Sequence, residues 1–191
     1  MTIDDGGFEL LYTLDPAVWL AGPDETRPVD VWLPGATAAL VSDFGVTDEQ
    51  GRQYVETVLR RFAIDDSSPL TDRLLRWRHL DDDPFPLFVG VIERADWPAE
   101  DLAAFVGFET ETVVEPPVVT DLDDVTASVR RGVGYSQGEG SLVCGVRYVV
   151  DDGDPDLVTV MMTATSRPGQ LIEALTDFDE LARSVRVVRA R

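Results

Sequence analysis

Three alternating segments in the second half of the chain constrain the fold most strongly. In each, apolar side chains alternate with polar or small ones, which is the period of a half-buried β-strand. The apolar positions are Val125, Ala127, Val129, Val133 and Tyr135, then Leu142, Cys144, Val146, Tyr148 and Val150, then Val158, Val160, Met162 and Ala164. Turn-forming residues separate the segments at 138–140 and 151–156. The pattern predicts an antiparallel three-strand meander with one face buried more fully than the other.

An amphipathic helix is predicted directly after the meander, from about residue 168 to 183. Its apolar residues recur at helical spacing and form one stripe. The stripe contains Leu171, Ile172, Leu175, Phe178, Leu181 and Ala182. Residues 185–188 are apolar enough to close the chain as a short strand.

A second amphipathic helix is predicted in the first half of the chain, over residues 47–63. Thr47 and Gln50 have the spacing of a capping box, in which each side chain satisfies a backbone amide at the helix start. Arg60 and Arg61 lie near the end, where positive charge suits the helix dipole. The stripe that this helix is expected to bury consists of Tyr54, Val55, Val58, Leu59 and Phe62.

The remaining elements are shorter. Strands are predicted at 8–14, 29–33, 74–80 and 87–94, and the second of these is stopped by Pro34-Gly35. The segment 74–80 has a helical alternative, because Ser68-Pro69 makes a fair helix start. A short helix through Phe105 is expected to take Asp96 as its N-cap. Residues 113–119 are extended but contain Pro116-Pro117, which favours a sheet edge or a crossing segment.

Helices before, between and after an antiparallel set of strands indicate an α+β domain. The predicted architecture is an antiparallel sheet with a C-terminal three-strand meander, flanked by helices. The predicted organisation is a flexible N-terminus at 1–7 and a single α+β domain over 8–191, since 191 residues suit one domain.

Missing residue types exclude much chemistry. The chain has no lysine and no asparagine, and it has one histidine, His79, and one cysteine, Cys144. Lysine Schiff bases and phosphate-binding lysines are therefore excluded, as is a zinc site of thiolates and imidazoles. No catalytic residue, metal ligand or cofactor is predicted.

The net charge of −20 indicates the kind of partner. Such a surface repels nucleic acid phosphates and anionic lipids, so neither nucleic acid nor membrane is expected as a partner. A protein with a basic face is electrostatically favoured. No apolar run approaches the roughly 18 residues that span a bilayer, and the acidic N-terminus does not resemble a secretory signal. The predicted location is cytoplasmic.

The candidate contact residues for a ligand or partner are Arg76, Trp77, Arg78 and His79. With Arg73 they form the main basic island of an acidic chain. Guanidinium groups beside an aromatic ring can bind a carboxylate or phosphate. The alternative interpretation is a solvent-facing strand that nearby aspartates neutralise. His79 followed by aspartates could act as a general base, although a packed, hydrogen-bonded histidine is the simpler interpretation.

Other suggestive motifs favour structural interpretations. Four aspartates at 151–156 lack the spacing of a calcium loop and indicate a solvated hairpin turn. Gly132-Val133-Gly134 lies inside a strand pattern and favours a bulge followed by a turn over a phosphate loop. Glu109 and Glu111 are expected on one side of a strand. Ser67, Ser68 and Ser136 lack the sequence around an activated serine, and Cys144 is expected to be an inert core thiol.

The order of the C-terminal elements resembles one fold group. The meander, long helix and closing strand, SLVCGVRYVV, LVTVMMTATS and GQLIEALTDFDELARSVRVV, are similar to those of the Mog1/PsbP-like proteins, and the ending DFDELARSVRVV is similar to the helix end in that group. The resemblance covers about 80 residues as a pattern of elements and carries over no catalytic residue. It implies an antiparallel sheet flanked by helices and an accessory or partner-binding role.

The leading hypothesis is a non-catalytic accessory or adaptor module that binds another protein with its acidic surface. The alternative is a carboxylate-dependent hydrolase or a small-ligand-binding protein, which requires a concave pocket with converging carboxylates. A homo-oligomer that uses the edge near residues 113–119 also remains open.

Overall fold

The computed structural model describes residues 7–65, 68, 70, 72–109, 111–122, 127–138 and 141–189. These residues form an α+β fold with four helices and antiparallel sheets, as the sequence predicts. The elements are β1 Phe8–Leu11, β2 Trp19–Ala21, α1 Val29–Asp43, α2 Glu49–Ala63, β3 Asp72–Arg76, β4 Phe85–Glu93, α3 Ala99–Val106, β5 Val118–Asp121, β6 Ser128–Gly138, β7 Ser141–Asp151, β8 Leu157–Thr165, α4 Pro168–Ser184 and β9 Arg186–Arg189. The predicted flexible N-terminus falls almost entirely outside the described residues.

Two units make up the fold. The larger contains Ile3–Thr13 and Val89–Arg191, and the smaller contains Leu14–Phe88. The single domain expected over 8–191 stays a prediction.

The meander predicted from alternation is confirmed in the larger unit, although Val125 and the turn residues 139–140 lie outside the described residues. The meander consists of β6, β7 and β8, which lie side by side in the strand order β4-β8-β7-β6-β5. The β6–β7 register runs without a break from Ser128↔Asp151 to Gly138↔Ser141. Helices α3 and α4 both pack on this sheet. Tyr148 binds a residue of α4 and Arg147 binds a residue of α3. Successive side chains of a strand point to opposite faces, so the two helices cover opposite faces of the sheet.

Glycines in β6 and β7 allow α3 to approach the sheet. A Cβ atom on Gly132 would overlap the carbonyl oxygen of Val106, the last residue of α3. A Cβ on Gly134 or Gly145 would lie 2.9 Å from the ring of Phe108. The bulge predicted at 132–134 is wrong, because the pairing with β7 is continuous there. These glycines instead make close packing possible.

The aspartate-rich turn at 151–156 anchors the end of the chain. Arg189 of β9 donates hydrogen bonds of 2.9 Å to Asp154 and 2.6 Å to Asp156. The carboxylate of Asp152 accepts a 2.6 Å bond from the backbone N–H of Val187. The predicted hairpin turn is present, and its carboxylates hold β9. Among the described residues, no group of His, Cys, Asp and Glu side chains is arranged to hold a metal ion.

We expect replacement of Asp154 by asparagine to destabilise the protein at pH 7 and to matter progressively less in acid. The Arg189 hydrogen bond, followed by backbone N–H donors, holds the pKa of Asp154 well below its usual value. Because the folded-state pKa lies below the unfolded value of about 3.9, the carboxylate stabilises the fold above that pH. This contribution is lost as the pH falls from about 4 through the folded-state pKa. Urea unfolding of both proteins between pH 7 and 3 measures it, and a difference independent of pH would contradict the prediction.

The smaller unit contains the main departure from the predicted elements. Residues 29–33 form the start of helix α1, so the strand predicted there is wrong. Pro34 lies inside this helix, where proline costs about 3 kcal/mol relative to alanine. Packing outweighs that cost: the buried residues of α1 recur at helical spacing and join a core with α2 and β3. The residues that α1 buries are Trp32, Leu33, Ala36, Thr37, Leu40 and Val41.

Helix α2 is confirmed, but its cap differs by one residue. Asp48 is the N-cap, and its carboxylate accepts a 2.8 Å bond from the backbone N–H of Gly51. The capping box predicted from Thr47 is therefore wrong. Asp96 does not cap α3 either, because that helix starts after Pro98.

The structure decides the secondary structure of residues 74–80 and the position of residues 113–119 in the sheet. The strand interpretation of residues 74–80 holds for its first part, since β3 ends at Arg76. Residues 113–119 lie at a sheet edge, as predicted: Val113 makes an isolated bridge to Ser136, and β5 is the last strand of its sheet. No helix in the part of the chain that the structure describes is long and apolar enough to cross a membrane.

Candidate functional site

The four residues predicted to contact a partner separate into buried and exposed pairs. Arg76 and Trp77 are buried, with 8% and 3% of their surface exposed. Arg78 and His79 are exposed. Two predictions are therefore wrong: His79 is not packed in the core, and the strand that carries the arginines does not face solvent. Strand β3 is mostly buried, and the chain reaches the surface only after Trp77. A contact between Arg78 or His79 and a partner stays a prediction.

Trp77 belongs to the core of the smaller unit. Its ring meets Phe44 at 5.1 Å and Tyr54 at 6.0 Å between centroids, both edge to face. The guanidinium of Arg76 lies 5.9 Å from the centre of the Phe85 ring. These contacts make packing the observed role of both residues.

The carboxylate at Glu111 holds a buried arginine. The guanidinium of Arg147 packs on two aromatic rings, 5.0 Å from the centre of Phe105 and 4.1 Å from that of Phe108. It donates hydrogen bonds to the Phe105 carbonyl and to Glu111. Burial lowers the pKa of Arg147, and Glu111 opposes this shift. Glu109 lies in the turn after α3, so the strand predicted for this glutamate pair is wrong.

A second buried network fixes α4 to the sheet. Asp179 accepts a 2.7 Å hydrogen bond from the hydroxyl of Tyr148 and a 2.6 Å bond from Arg131. Burial raises the pKa of Tyr148 above its usual value, and the nearby Asp179 raises it further. The tyrosine therefore stays protonated and donates to the carboxylate.

The structure shows where the cysteine and two of the three serines that lack a nucleophile motif lie. Cys144 is fully buried, as predicted for a core thiol, and burial raises the pKa of that thiol. Ser68 is buried, and its hydroxyl accepts a 3.2 Å bond from the Leu70 N–H. Ser136 lies within β6. Ser67 lies outside the described residues.

One site with room for a ligand or partner is a groove in the smaller unit, hereafter the α1/α2 groove. Its volume is about 730 Å³. Helix α1 supplies mainly apolar groups and α2 supplies charged ones. The lining residues are Val29, Asp30, Leu33, Pro34, Thr37, Ala38, Arg52, Glu56 and Arg60.

The charged wall of the groove follows from helical spacing. Arg52, Glu56 and Arg60 are four residues apart and so lie on one face of α2. Arg60 donates a 2.7 Å hydrogen bond to Glu56. Arg52 lies 3.9 Å from Glu49, outside hydrogen-bonding distance. With Asp30 the lining carries two positive and two negative groups, so the groove is locally neutral in a chain of net charge −20.

The floor of the groove contains a polar group without a partner. Thr37 is 7% exposed, and its Oγ1 atom has no hydrogen-bond partner among the described residues. Around it, Leu33, Pro34 and Ala38 are apolar. An apolar floor with a charged rim is the composition of a groove that can bind a protein segment or a small molecule. Sequence reasoning missed this site because it predicted a strand at 29–33.

Comparison with known proteins gives a fold and no family. No family model matches the sequence, and no curated protein matches it. Among solved structures, the chain is similar to the crystal structure of LpqN, a protein involved in cell envelope biogenesis of Mycobacterium tuberculosis. The TM-score is 0.53 at 10% sequence identity, over 97% of this chain and 86% of that chain. At this identity the similarity shows the fold alone.

Proposed function

We propose that this protein is a non-catalytic accessory module that binds a partner protein through the α1/α2 groove. The observation that carries the proposal is the groove itself. It joins an apolar floor from α1 to a row of charged side chains on α2. A partner segment that buries an apolar face on the floor would gain roughly 25 cal/mol for each Å² removed from water. The charged rim would then fix its register.

Electrostatics favour a partner with a basic face. The net charge of −20 attracts such a face over distances comparable with the Debye length, about 8 Å at physiological salt. The neutral groove adds no repulsion when the partner arrives. Attraction by the acidic surface speeds the encounter, and apolar contact in the groove limits dissociation. Arg78 and His79 are a second surface that the partner could touch.

The rival function uses the same groove. Asp30 on α1 and Glu56 on α2 both line it, so a carboxylate-dependent hydrolase would use these two groups. Replacing them with asparagine and glutamine separates the hypotheses. An enzyme would lose turnover by about 100-fold or more, whereas a partner held by the apolar floor would still bind.

The fold similarity supports an accessory role only indirectly. LpqN has an envelope context, and the Mog1/PsbP-like resemblance implies non-enzymatic partner binding; both remain proposals for this chain. We also propose a cytoplasmic location, because a single cysteine cannot form an intramolecular disulfide. The identity of a captured partner would distinguish this location from the cell envelope.

We expect replacement of Ala38 by glutamine to weaken partner binding by about tenfold or more. Ala38 is exposed and lines the groove, so a longer side chain would occupy the space of the partner. Ala39 is exposed on the same helix and does not line it. Glutamine at 39 is therefore the matched control, since both changes add the same group at similar helix propensity.

The measurement is capture from native lysate by the tagged wild-type, Ala38→Gln and Ala39→Gln proteins, at low and moderate salt. Support requires one stoichiometric protein that the control retains, that Ala38→Gln loses, and that higher salt weakens. Equal capture by the two variants would remove the groove from the proposal. If the protein turned over a substrate and lost that turnover when Asp30 and Glu56 were replaced, the hydrolase would replace the partner-binding proposal.

A further inference from the structure

Among the residues that the structure describes, no strand pairs with the outer edge of β5, the last strand of the larger sheet. Strand β5 pairs with β6 on one side and is the terminal strand on the other. Val118 and Val119 are 65% and 48% exposed. Natural sheets protect such edges with charged side chains, often lysine, or with proline. This chain has no lysine, and its two edge prolines lie just before β5, at 116 and 117.

The hydrogen-bond pattern identifies which backbone groups face outward. The N–H of Leu122 donates a 2.7 Å bond to the carbonyl of Val129. In an antiparallel pair, residues alternate between bonding the neighbouring strand and pointing away from it. Thr120 and Val118 therefore bond to β6 like Leu122, and Val119 and Asp121 direct their N–H and C=O groups to the free edge.

We propose that a second copy of this chain pairs with this edge, β5 against β5, in antiparallel register about Thr120. Val119 of each copy then lies opposite Asp121 of the other. Each such pair exchanges two backbone hydrogen bonds, about four in total. Val118 meets Leu122 of the second copy on one face of the joined sheet. The prolines at 116 and 117 prevent the pairing from extending further.

Charge at the edge is compatible with this arrangement. Asp121 is neutralised within its own chain, because Arg130 donates a 2.9 Å hydrogen bond to it. In the proposed register each Asp121 faces a valine, so no two carboxylates lie directly opposite. The remaining opposition is the net charge of −20 on each chain. Salt screens that repulsion, so dimerisation should strengthen as salt rises, whereas binding of a basic partner should weaken.

The test is replacement of Val119 by proline. Proline removes the N–H that faces the edge and leaves the bonds between β5 and β6 intact. The control is Val119→Ala, which shortens the same side chain and keeps that N–H. Sedimentation velocity in 0.5 M salt, over concentrations from about 1 to 500 μM, should give a wild-type mass rising from 21.0 kDa towards twice that value. We expect the alanine variant to dimerise and the proline variant to stay at 21.0 kDa.

Slowed amide exchange at Val119 and Asp121 with rising concentration would identify the edge as the contact. A wild-type protein that stays monomeric throughout would overturn the proposal, as would a dimer that Val119→Pro leaves unchanged. Loss of a captured foreign protein in Val119→Pro, with a monomeric wild type, would assign the edge to that protein's strand instead. None of these outcomes alters the test at Ala38, which concerns the other unit.

Discussion

Replacement of Gly132 by alanine is expected to lower the free energy of unfolding by about 3 kcal/mol. The new Cβ would overlap the carbonyl oxygen of Val106 at the end of α3. Because that oxygen is backbone, it cannot rotate away, and α3 or β6 must move. Such a shift would also disturb the ring of Phe108, which packs against Gly134 and Gly145.

Gly169→Ala is the matched control for this change. Gly169 lies near the start of α4, and a Cβ there would meet nothing within 4 Å. Alanine should leave stability unchanged or raise it by up to about 1 kcal/mol. Urea unfolding with circular dichroism measures both variants. Equal stability of Gly132→Ala and the wild type would mean that α3 does not pack as closely as described.

Replacement of Asp179 by alanine should have the second large effect, a loss of about 3 kcal/mol. The change leaves the buried hydroxyl of Tyr148 without its acceptor and removes the ion partner of Arg131. A buried polar group that loses its partner costs about 1–3 kcal/mol, and more when it is charged. The higher helix propensity of alanine offsets only a few tenths of a kcal/mol.

The neighbouring Glu180 provides the comparison, because it is exposed on the same helix. Glu180→Ala should change the unfolding free energy by about 0.5 kcal/mol or less. Thermal and urea unfolding of both variants would show the difference. If Asp179→Ala and Glu180→Ala were equally stable, the network would contribute no more than a solvated surface contact.

The elements with strict periodicity were predictable and those governed by tertiary packing were not. Alternation alone predicted the meander strands, but it did not predict that the middle of β7 and most of β8 are buried on both faces. Helix α1 was missed because Val29–Leu33 is a short apolar segment, interrupted only by Asp30, that suits a strand or a helix equally, and because Pro34 argued against a helix. Its burial against α2 and β3 decided the outcome.

The candidate functional residues were harder to predict because their exposure also depends on tertiary packing. The basic island was visible in the sequence, but burial of Arg76 and Trp77 depends on where β3 ends in the fold. The α1/α2 groove needs two helices, one of which was not predicted. The helical spacing of Arg52, Glu56 and Arg60 was the one signal present in the sequence. Periodicity cannot show what such a row faces.

The most direct test of partner binding through the groove is photo-crosslinking from Ala38. A photoreactive amino acid placed at 38, and at 39 in the control, would be irradiated in native lysate at low and moderate salt. The account predicts one discrete crosslinked protein from position 38, reduced by salt, and little product from position 39. No product from position 38, or the same products from both positions, would contradict a partner-binding role for the groove.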